Sequence, residues 1–218
     1  MTKEIEGLSI VLIGDFNPKI FQPAWFAAQE LIRTKESEES EVQLITPEVT
    51  SFKLGDWLEL QVTRERFSAS TAQEAYFEIL RDLVLGTFTL LRHSPVRAVG
   101  INYMAHHRLR SEEEMHSYGY SWAPKTNWEG ILNNPGMRVL IMQGKRTDGY
   151  MGYVQVQSEP SAKVQPGIFF AINDHFQIAK SDSEQIGCLE AIEILRSKCQ
   201  ESIAGSRTMI EKLLHPKD

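Results

Sequence analysis

One order of predicted elements occurs twice along the chain, and this repetition restricts the fold more than any single motif does. The apolar run Leu8–Ile13 predicts a buried strand, and Pro23 begins a stretch in which apolar residues recur at helical spacing. Strand patterns and a long helical stripe follow, and the stripe ends before Pro95. The rest of the chain repeats this order. The sequence therefore predicts an α+β fold of two pseudo-duplicated β-α-β-β-β-α halves, 1–94 and 95–218, that form one compact unit.

Hydrophobic spacing places the remaining elements of both halves. Short strand patterns separated by turn residues predict a largely antiparallel sheet packed by helices. In the first half we predict strands at Val42–Ile45, Val49–Leu54 and Trp57–Phe67, and a helix at Thr71–His93 opened by a Thr71-x-x-Glu74 capping box. In the second half we predict strands at Val96–Leu109, Met137–Lys145, Tyr150–Gln157 and Gly167–Ile178, and a helix opened by Ser181-x-x-Glu184.

Three local signals refine this arrangement. The charged, serine-rich stretch Lys35–Glu41 predicts a solvated loop. Gly86 lies inside a predicted helix at a cost of about 1 kcal/mol relative to alanine, which indicates close approach by another element. Asp148-Gly149 predicts a hairpin. Paired modules of this order are similar to vicinal-oxygen-chelate modules and to the effector-binding folds of drug-sensing regulators, which place a ligand cleft between their halves, but such an analogy does not establish function.

Charge and cysteine content bear on several classes of protein. The chain has 218 residues with 23 Lys and Arg against 29 Asp and Glu, a net charge of −6. Nonspecific nucleic-acid binders instead carry a basic footprint. No apolar run approaches the roughly 18 to 20 residues that span a membrane, and Met1–Glu6 lacks an apolar signal core. Cys188 and Cys199 lie about 16 Å apart along a predicted helix, too far for a disulfide. We therefore expect reduced thiols and a cytoplasmic location.

The strand Val96–Leu109 contains the residues that most suggest chemistry. Neighbouring strand residues point to opposite faces, so His106 and His107 cannot both bind one metal. Asn102, His106 and Arg108 share a polar face that we expect to line a cleft, whereas His107 belongs to the face that packs in the core. We predict no metal site. We also predict no cofactor, because neither a Gly-x-Gly-x-x-Gly motif nor a phosphate-loop lysine is present.

Two further groups of polar residues are candidates for ligand binding. Arg64 and Arg66 fall on the buried face of the predicted strand Trp57–Phe67 if alternation is strict. Either a bulge or strand end turns the chain there, or both arginines enter an interior cleft suited to a carboxylate or phosphate. Asp15 and Asn17 lie between a strand and a helix, where ligands often bind, although an Asx-type turn is the simpler explanation.

The strand Ile168–Ile172 is apolar on both faces. Phe169 and Ala171 form a second apolar row, opposite the row that begins with Ile168. A sheet covered by helices on one side does not require this second row, so it must meet the other half, another chain or a ligand. We predict an interface at Phe169 and Ala171. The chain is then a homo-oligomer, most simply a dimer, or a subunit bound to a partner protein.

Three stretches of the sequence resemble a family of uncharacterised, sporadically distributed bacterial proteins. They are Gly14-Asp-Phe-Asn-Pro-Lys-Ile-Phe-Gln-Pro23 with Trp25, Leu60-Gln-Val-Thr-Arg-Glu-Arg-Phe67, and Val99-Gly-Ile-Asn-Tyr103 ahead of His106. The similar order of elements covers most of the chain. The resemblance implies a bacterial cytoplasmic protein, and it brings no activity, cofactor or catalytic residue with it.

Two hypotheses about function follow from these patterns. The first is a non-enzymatic binding protein that uses a sheet face or a cleft between its halves to bind a partner protein, a second copy or a small ligand. The alternative is an enzyme acting on an anionic small molecule in a cleft lined by His106, Arg108, Arg64 and Asp174. The first is favoured, because no catalytic spacing stands out. A deep pocket holding a histidine or carboxylate of shifted pKa favours the second.

Overall fold

A nine-stranded antiparallel open sheet forms the centre of the molecule. The computed structural model describes residues 1–178 and 188–215. In space the strands follow the order β2-β3-β4-β5-β1-β6-β9-β8-β7, so both halves of the chain contribute to one sheet. The strands are β1 Thr2–Gly14, β2 Glu41–Ile45, β3 Val49–Leu54, β4 Leu58–Thr63, β5 Arg66–Thr71, β6 Val96–Arg108, β7 Leu140–Lys145, β8 Gly152–Pro160 and β9 Gly167–Gln177.

Helices lie on one face of this sheet, which we call the helix face. Ring contacts and hydrogen bonds place them there: Phe26 meets Phe52, Phe88 meets Phe67, Trp122 meets Phe170, and Ser202 binds Asp174. The α-helices of the described residues are α1 Pro23–Ala28, α2 Thr34–Glu38, α3 Phe77–Leu90, α4 Glu112–Trp122 and α5 Leu189–Leu214. The fold is therefore a mixed α+β fold with an antiparallel sheet, as the sequence predicts.

The hydrophobic core lies between the sheet and these helices. Alternate residues of the central strand β1, namely Leu8, Ile10 and Leu12, are fully buried because they face α3 and α5. The intervening residues face the other side of the sheet, which we call the open face because no described helix contacts it. Gly86 confirms the predicted close approach, since an added Cβ would lie 2.6 Å from the Leu31 side chain.

The stretch Trp57–Phe67 is not one continuous strand, and the strand end that was one of the two alternatives for Arg64 and Arg66 is confirmed. The chain folds back at Arg64-Glu65, and the two segments become β4 and β5, so that the first half contains five strands. In one continuous strand, residues an odd number apart point to opposite faces of the sheet. Val62 and Phe67 are five positions apart, yet both are buried in the core. The turn solves this by placing them directly opposite each other on the helix face.

Several helix boundaries also differ from prediction. Thr71 ends β5 and does not cap a helix, and α3 begins at Phe77 after a 3-10 turn at Glu74–Tyr76. Ile79 on α3 is half exposed, so the predicted stripe is not buried along its whole width. The predicted loop Lys35–Glu41 instead contains most of α2, which Glu36 stabilises by accepting the Arg33 backbone N–H at 2.9 Å. The predicted opening at Ser181 lies outside the described residues.

None of the helices that the structure describes combines the length and the apolar character needed to cross a membrane.

Candidate functional site

The β6 strand presents its two neighbouring histidines to opposite faces of the sheet. His106 pairs with Phe169 on the open face, and its ring packs against the Phe169 ring with centroids 4.6 Å apart. The His107 ring meets Phe170 edge-on at 6.0 Å on the helix face. Burial lowers the pKa of both imidazoles. Of this pair, His106 therefore faces the open side of the sheet and His107 faces the helix side.

Hydrogen bonds fix the tautomer of His106. Its Nδ1 lies 2.8 Å from the Ser161 hydroxyl, and that hydroxyl oxygen already accepts the backbone N–H groups of Lys163 at 3.2 Å and Val164 at 2.9 Å. Because these two donors occupy the oxygen lone pairs, the Ser161 O–H donates to Nδ1. We assign the ring proton to Nε2 on the basis of this network. His106 is thus a neutral, oriented hydrogen-bond donor, since burial and the nearby Lys163 charge keep its pKa below the usual range.

A cavity of about 390 Å³ opens beside His106 on the open face, between the two halves. This volume falls within the range of small-molecule sites, about 300–1,000 Å³. Strands β3, β4, β5 and β1 form one side and β6, β9 and the loop after β8 form the other. Its lining residues are Gly7, Lys53, Gly55, Asp56, Trp57, Leu58, Glu59, Ser70, Thr71, Ala72, Met104, His106, Lys163 and Phe169.

Glycine at position 7 keeps part of the cavity open. A Cβ added there would lie 3.0 Å from the Thr71 carbonyl oxygen and 3.5 Å from Met104 Cε, and would occupy cavity space. Aromatic rings bound the cavity on two sides, with Phe169 against His106 and Trp57 stacked on Tyr76 at 5.4 Å. The cavity therefore combines flat apolar surfaces with polar groups, as ligand sites commonly do.

The cationic groups of the cavity differ in how they are paired. Lys53 lies 4.0 Å from Glu59 on the neighbouring strand. The Lys163 ammonium has no ion-pair partner within the ranges 1–178 and 188–215. Lys163 and His106 come from the same half, and the loop that holds Lys163 is also the loop that orients His106. An acceptor group entering the cavity would meet both donors.

The predicted ligand-binding arginines lie away from this cavity. Arg64 occupies the turn between β4 and β5 and pairs with Glu48 at 2.6 Å, and Arg66 is exposed at the start of β5. Arg108 donates from Nε and Nη2 to the two carboxylate oxygens of Glu4, and from Nη1 to the Gln165 carbonyl at 2.8 Å. These side chains serve turns and strand ends.

Asp174 faces the opposite side of the sheet from His106. It stands opposite Ile101 on the helix face, where Arg146 and the Ser202 hydroxyl bind its carboxylate. Ile101 and His106 are five positions apart on β6, about 17 Å along a strand. The structure therefore does not bring His106, Arg108, Arg64 and Asp174 into one cleft.

The other predicted site residues also lie outside the cavity. Asn17 accepts the Lys19 backbone N–H at 3.2 Å and caps the 3-10 turn Pro18–Ile20, and Asp15 donates its backbone N–H to the Pro95 carbonyl at 2.9 Å. Both follow the end of β1 that is about 23 Å from Gly7. Asn102 lies on the open face, and its side-chain amide donates to the Ser9 carbonyl at 3.3 Å.

A buried polar cluster beneath α5 was missed by the sequence analysis. Tyr103 donates to Glu6 at 2.5 Å, Arg207 binds the same carboxylate oxygen at 2.9 Å, and Lys3 binds the other. Burial alone would raise the pKa of Glu6, but these hydrogen bonds lower it to about 2. The signal was present, because Glu6 continues the buried series of Leu8 and the apolar residues that alternate after it.

The cysteines are buried and free, and burial raises the pKa of both thiols to about 11. They are therefore protonated at neutral pH and are poor nucleophiles. Within the described residues, no group of three His, Cys, Asp or Glu side chains is placed to hold a metal ion.

No protein-family model matches the chain, and no curated protein matches it.

Proposed function

We propose that the chain is a binding protein whose cavity between the two halves takes a small molecule bearing a carboxylate or phosphate. The observation that carries this proposal is the fixed tautomer of His106, whose Nδ1 is occupied by Ser161 and whose Nε2–H remains to donate. A donor held in this way matches a ligand that presents an acceptor oxygen. The ammonium of Lys163 adds a positive charge beside it.

The aromatic surfaces extend the proposal to the rest of the ligand. Phe169 and Trp57 present flat apolar surface to the cavity, and such surface favours a planar or apolar body attached to the anionic group. We propose that the second apolar row of β9 serves this ligand, with Phe169 in contact and Ala171 two residues further along the open face. Catalysis by the set predicted from sequence is not proposed, because Arg64, Arg108 and Asp174 are engaged elsewhere.

We also propose that the halves 1–94 and 95–218 are pseudo-duplicates whose join creates the cavity. Each half begins with a 13-residue strand, β1 or β6, and these two strands pair antiparallel at the centre of the sheet. Each half ends in a helix, α3 or α5, that packs on the helix face. A cytoplasmic, bacterial setting is part of the same proposal, supported by the free buried thiols and the family resemblance.

The proposal is tested with phenyl phosphate and benzoate as probes and uncharged benzamide as the comparison. We expect the two anions to raise the midpoint of thermal unfolding and to show saturable binding by calorimetry. A probe at one hundred times its Kd stabilises the fold by about 2.7 kcal/mol. Benzamide should bind more weakly, because it has no charge to offer Lys163.

Variants locate the binding site. His106→Ala and Lys163→Ala should each weaken binding about tenfold or more, in line with about 1.5–3 kcal/mol for a hydrogen bond to a charged group. His93→Ala and Lys35→Ala are the matched controls, since both side chains are exposed outside the cavity. Binding that is equal in all four variants, or absent for both anions, would show that this cavity is not an anion site.

A further inference from the structure

Exposed apolar side chains concentrate in one segment of the second half. Fourteen large apolar side chains are exposed in the described part of the chain, and six of them fall within residues 128–142. They are Trp128, Ile131, Leu132, Val139, Ile141 and Met142. Single exposed apolar residues are ordinary on a protein surface, but several within one short segment favour an interaction site.

The edge strand β7 ends this segment. It pairs with β8 in an unbroken register of six residues, and its outer side pairs with no strand among the described residues. The five residues Leu140–Gly144 carry no charge, and no proline or bulge interrupts them. A regular, uncharged edge of this kind has free backbone N–H and C=O groups arranged to pair with another strand.

We infer that β7 pairs antiparallel with β7 of a second copy, so that the sheet continues across a two-fold axis. The absence of charge along Leu140–Gly144 favours a second copy over a charged partner, because identical strands then meet without like charges opposite one another. A continuous sheet places residues of the same face opposite each other. With Met142 on the axis, Ile141 meets Gln143 and Leu140 meets Gly144, so five residues pair on each chain.

The exposed apolar side chains contribute part of the surface that such a dimer needs. A standard interface buries about 800 Å² per partner, a little over half of it apolar. Burying one large apolar side chain removes roughly 60–120 Å² from water at the usual free energy per area. Six half-exposed side chains therefore supply a few hundred Å², and a paired five-residue strand adds its backbone. The interface is distinct from the cavity on the open face.

Analytical ultracentrifugation from 1 to 100 μM tests the inference. We expect the wild type to dimerise, and Met142→Lys to weaken the dimer at least tenfold, because it places two ammonium groups together on the axis. Met142 is 62% exposed, so the substitution leaves the fold intact, which circular dichroism checks. Leu44→Lys on the other edge strand is the matched control at 47% exposure and should change nothing.

Charge exchange gives the decisive comparison. Met142→Glu alone should also be monomeric, and mixing it with Met142→Lys should restore a heterodimer. In Met142→Cys, oxidation should crosslink two copies, since directly opposed strand residues lie within disulfide range and both native cysteines are buried. A monomeric wild type at 100 μM, a dimer that Met142→Lys leaves intact, or a mixture that stays monomeric would each overturn the inference.

Discussion

The two edges of the sheet are built differently. Along β2 a bulge interrupts the pairing with β3 between Val42 and Leu44, and Glu41 and Pro47 border the strand. Bulges, charges and prolines are the devices by which edge strands avoid unwanted pairing. β7 has an unbroken register and no charge along Leu140–Gly144. Both edges are exposed, and each edge strand carries one charged residue at an end, Glu41 in β2 and Lys145 in β7. The unbroken register is what distinguishes β7 from β2.

The two edges also differ in how they are fixed to the helices. The loop between β7 and β8 sends Arg146 under α5, where its guanidinium binds Asp174 and lies 3.6 Å from the Phe176 ring centre. At the β2 end the nearby ion pair, Arg64 with Glu48, is exposed on both sides. The β7–β8 connection is therefore tied to the core by a buried ion pair, whereas the ion pair near β2 lies in solvent.

Removing the buried cation should give the largest effect. Arg146→Ala leaves the Asp174 carboxylate buried without its positive partner, and breaking a buried pair typically costs about 3–5 kcal/mol. The matched control, Arg64→Ala, removes an exposed pair worth about 1 kcal/mol or less. We expect urea unfolding to separate the two variants by at least about 2 kcal/mol.

The same variants test whether the buried Arg146–Asp174 ion pair, which we call the Arg146 anchor, affects dimerisation through the edge strand β7. If the Arg146 anchor holds the β7–β8 hairpin in shape, Arg146→Ala should also weaken the dimer at concentrations where the fold is intact. If Arg146→Ala and Arg64→Ala lowered the free energy of unfolding equally, the buried ion pair near β7 would contribute no more to stability than the exposed pair near β2.

Acid should destabilise the centre of the sheet through the buried carboxylate of Glu6. The folded pKa of Glu6 is about 2, below its ordinary value of 4.5. A lowered carboxyl pKa contributes stability that is present above the unfolded pKa and is lost as the pH falls through the folded one. Unfolding free energy should therefore fall by roughly 3 kcal/mol between about pH 5 and pH 2.

Two variants assign this acid loss to the buried cluster. Glu6→Gln should lower stability at pH 7 and make the remaining curve flatter between pH 5 and pH 2. Tyr103→Phe removes one donor to Glu6 and should give an intermediate slope. An unchanged slope in both variants, measured by urea unfolding at each pH, would show that other carboxylates cause the acid sensitivity.

The local alternation of apolar and polar residues was enough to predict much of the sheet. Alternation placed β6 and β9 within a residue or two, and Asp148-Gly149 indicated the β7–β8 connection, where Gly149 adopts a φ of +88°. The β4–β5 turn was predicted only as one of two alternatives, a bulge or strand end at Arg64 and Arg66, because Arg64-Glu65 contains no glycine, asparagine or proline. The sequence signal for this turn was the odd spacing of the two apolar residues Val62 and Phe67, which one strand would place on opposite faces.

The candidate site depends on contacts that no local pattern reveals. His106 was predicted to face a polar side, but Ser161, which fixes its tautomer, is 55 residues away. Gly7 and Met104 become neighbours only because β1 pairs with β6 across the join of the halves. Arg64 and Arg108 were predicted to bind a ligand, but each instead forms an ion pair with a nearby carboxylate, Glu48 or Glu4.

Amide hydrogen exchange compares the two edges directly and should show the smallest effect. In an antiparallel strand alternate N–H groups point away from the inner neighbour, so the outer amides of β7 and β2 are unprotected in a monomer. Between 1 and 100 μM, exchange in Leu140–Gly144 should slow about tenfold, or about 1.4 kcal/mol, because dimerisation pairs these amides. Exchange in Glu41–Ile45 should not depend on concentration, because the bulge interrupts a regular edge there. Slowing at both edges, or at β2 alone, would mean that regularity of the register does not decide which edge pairs.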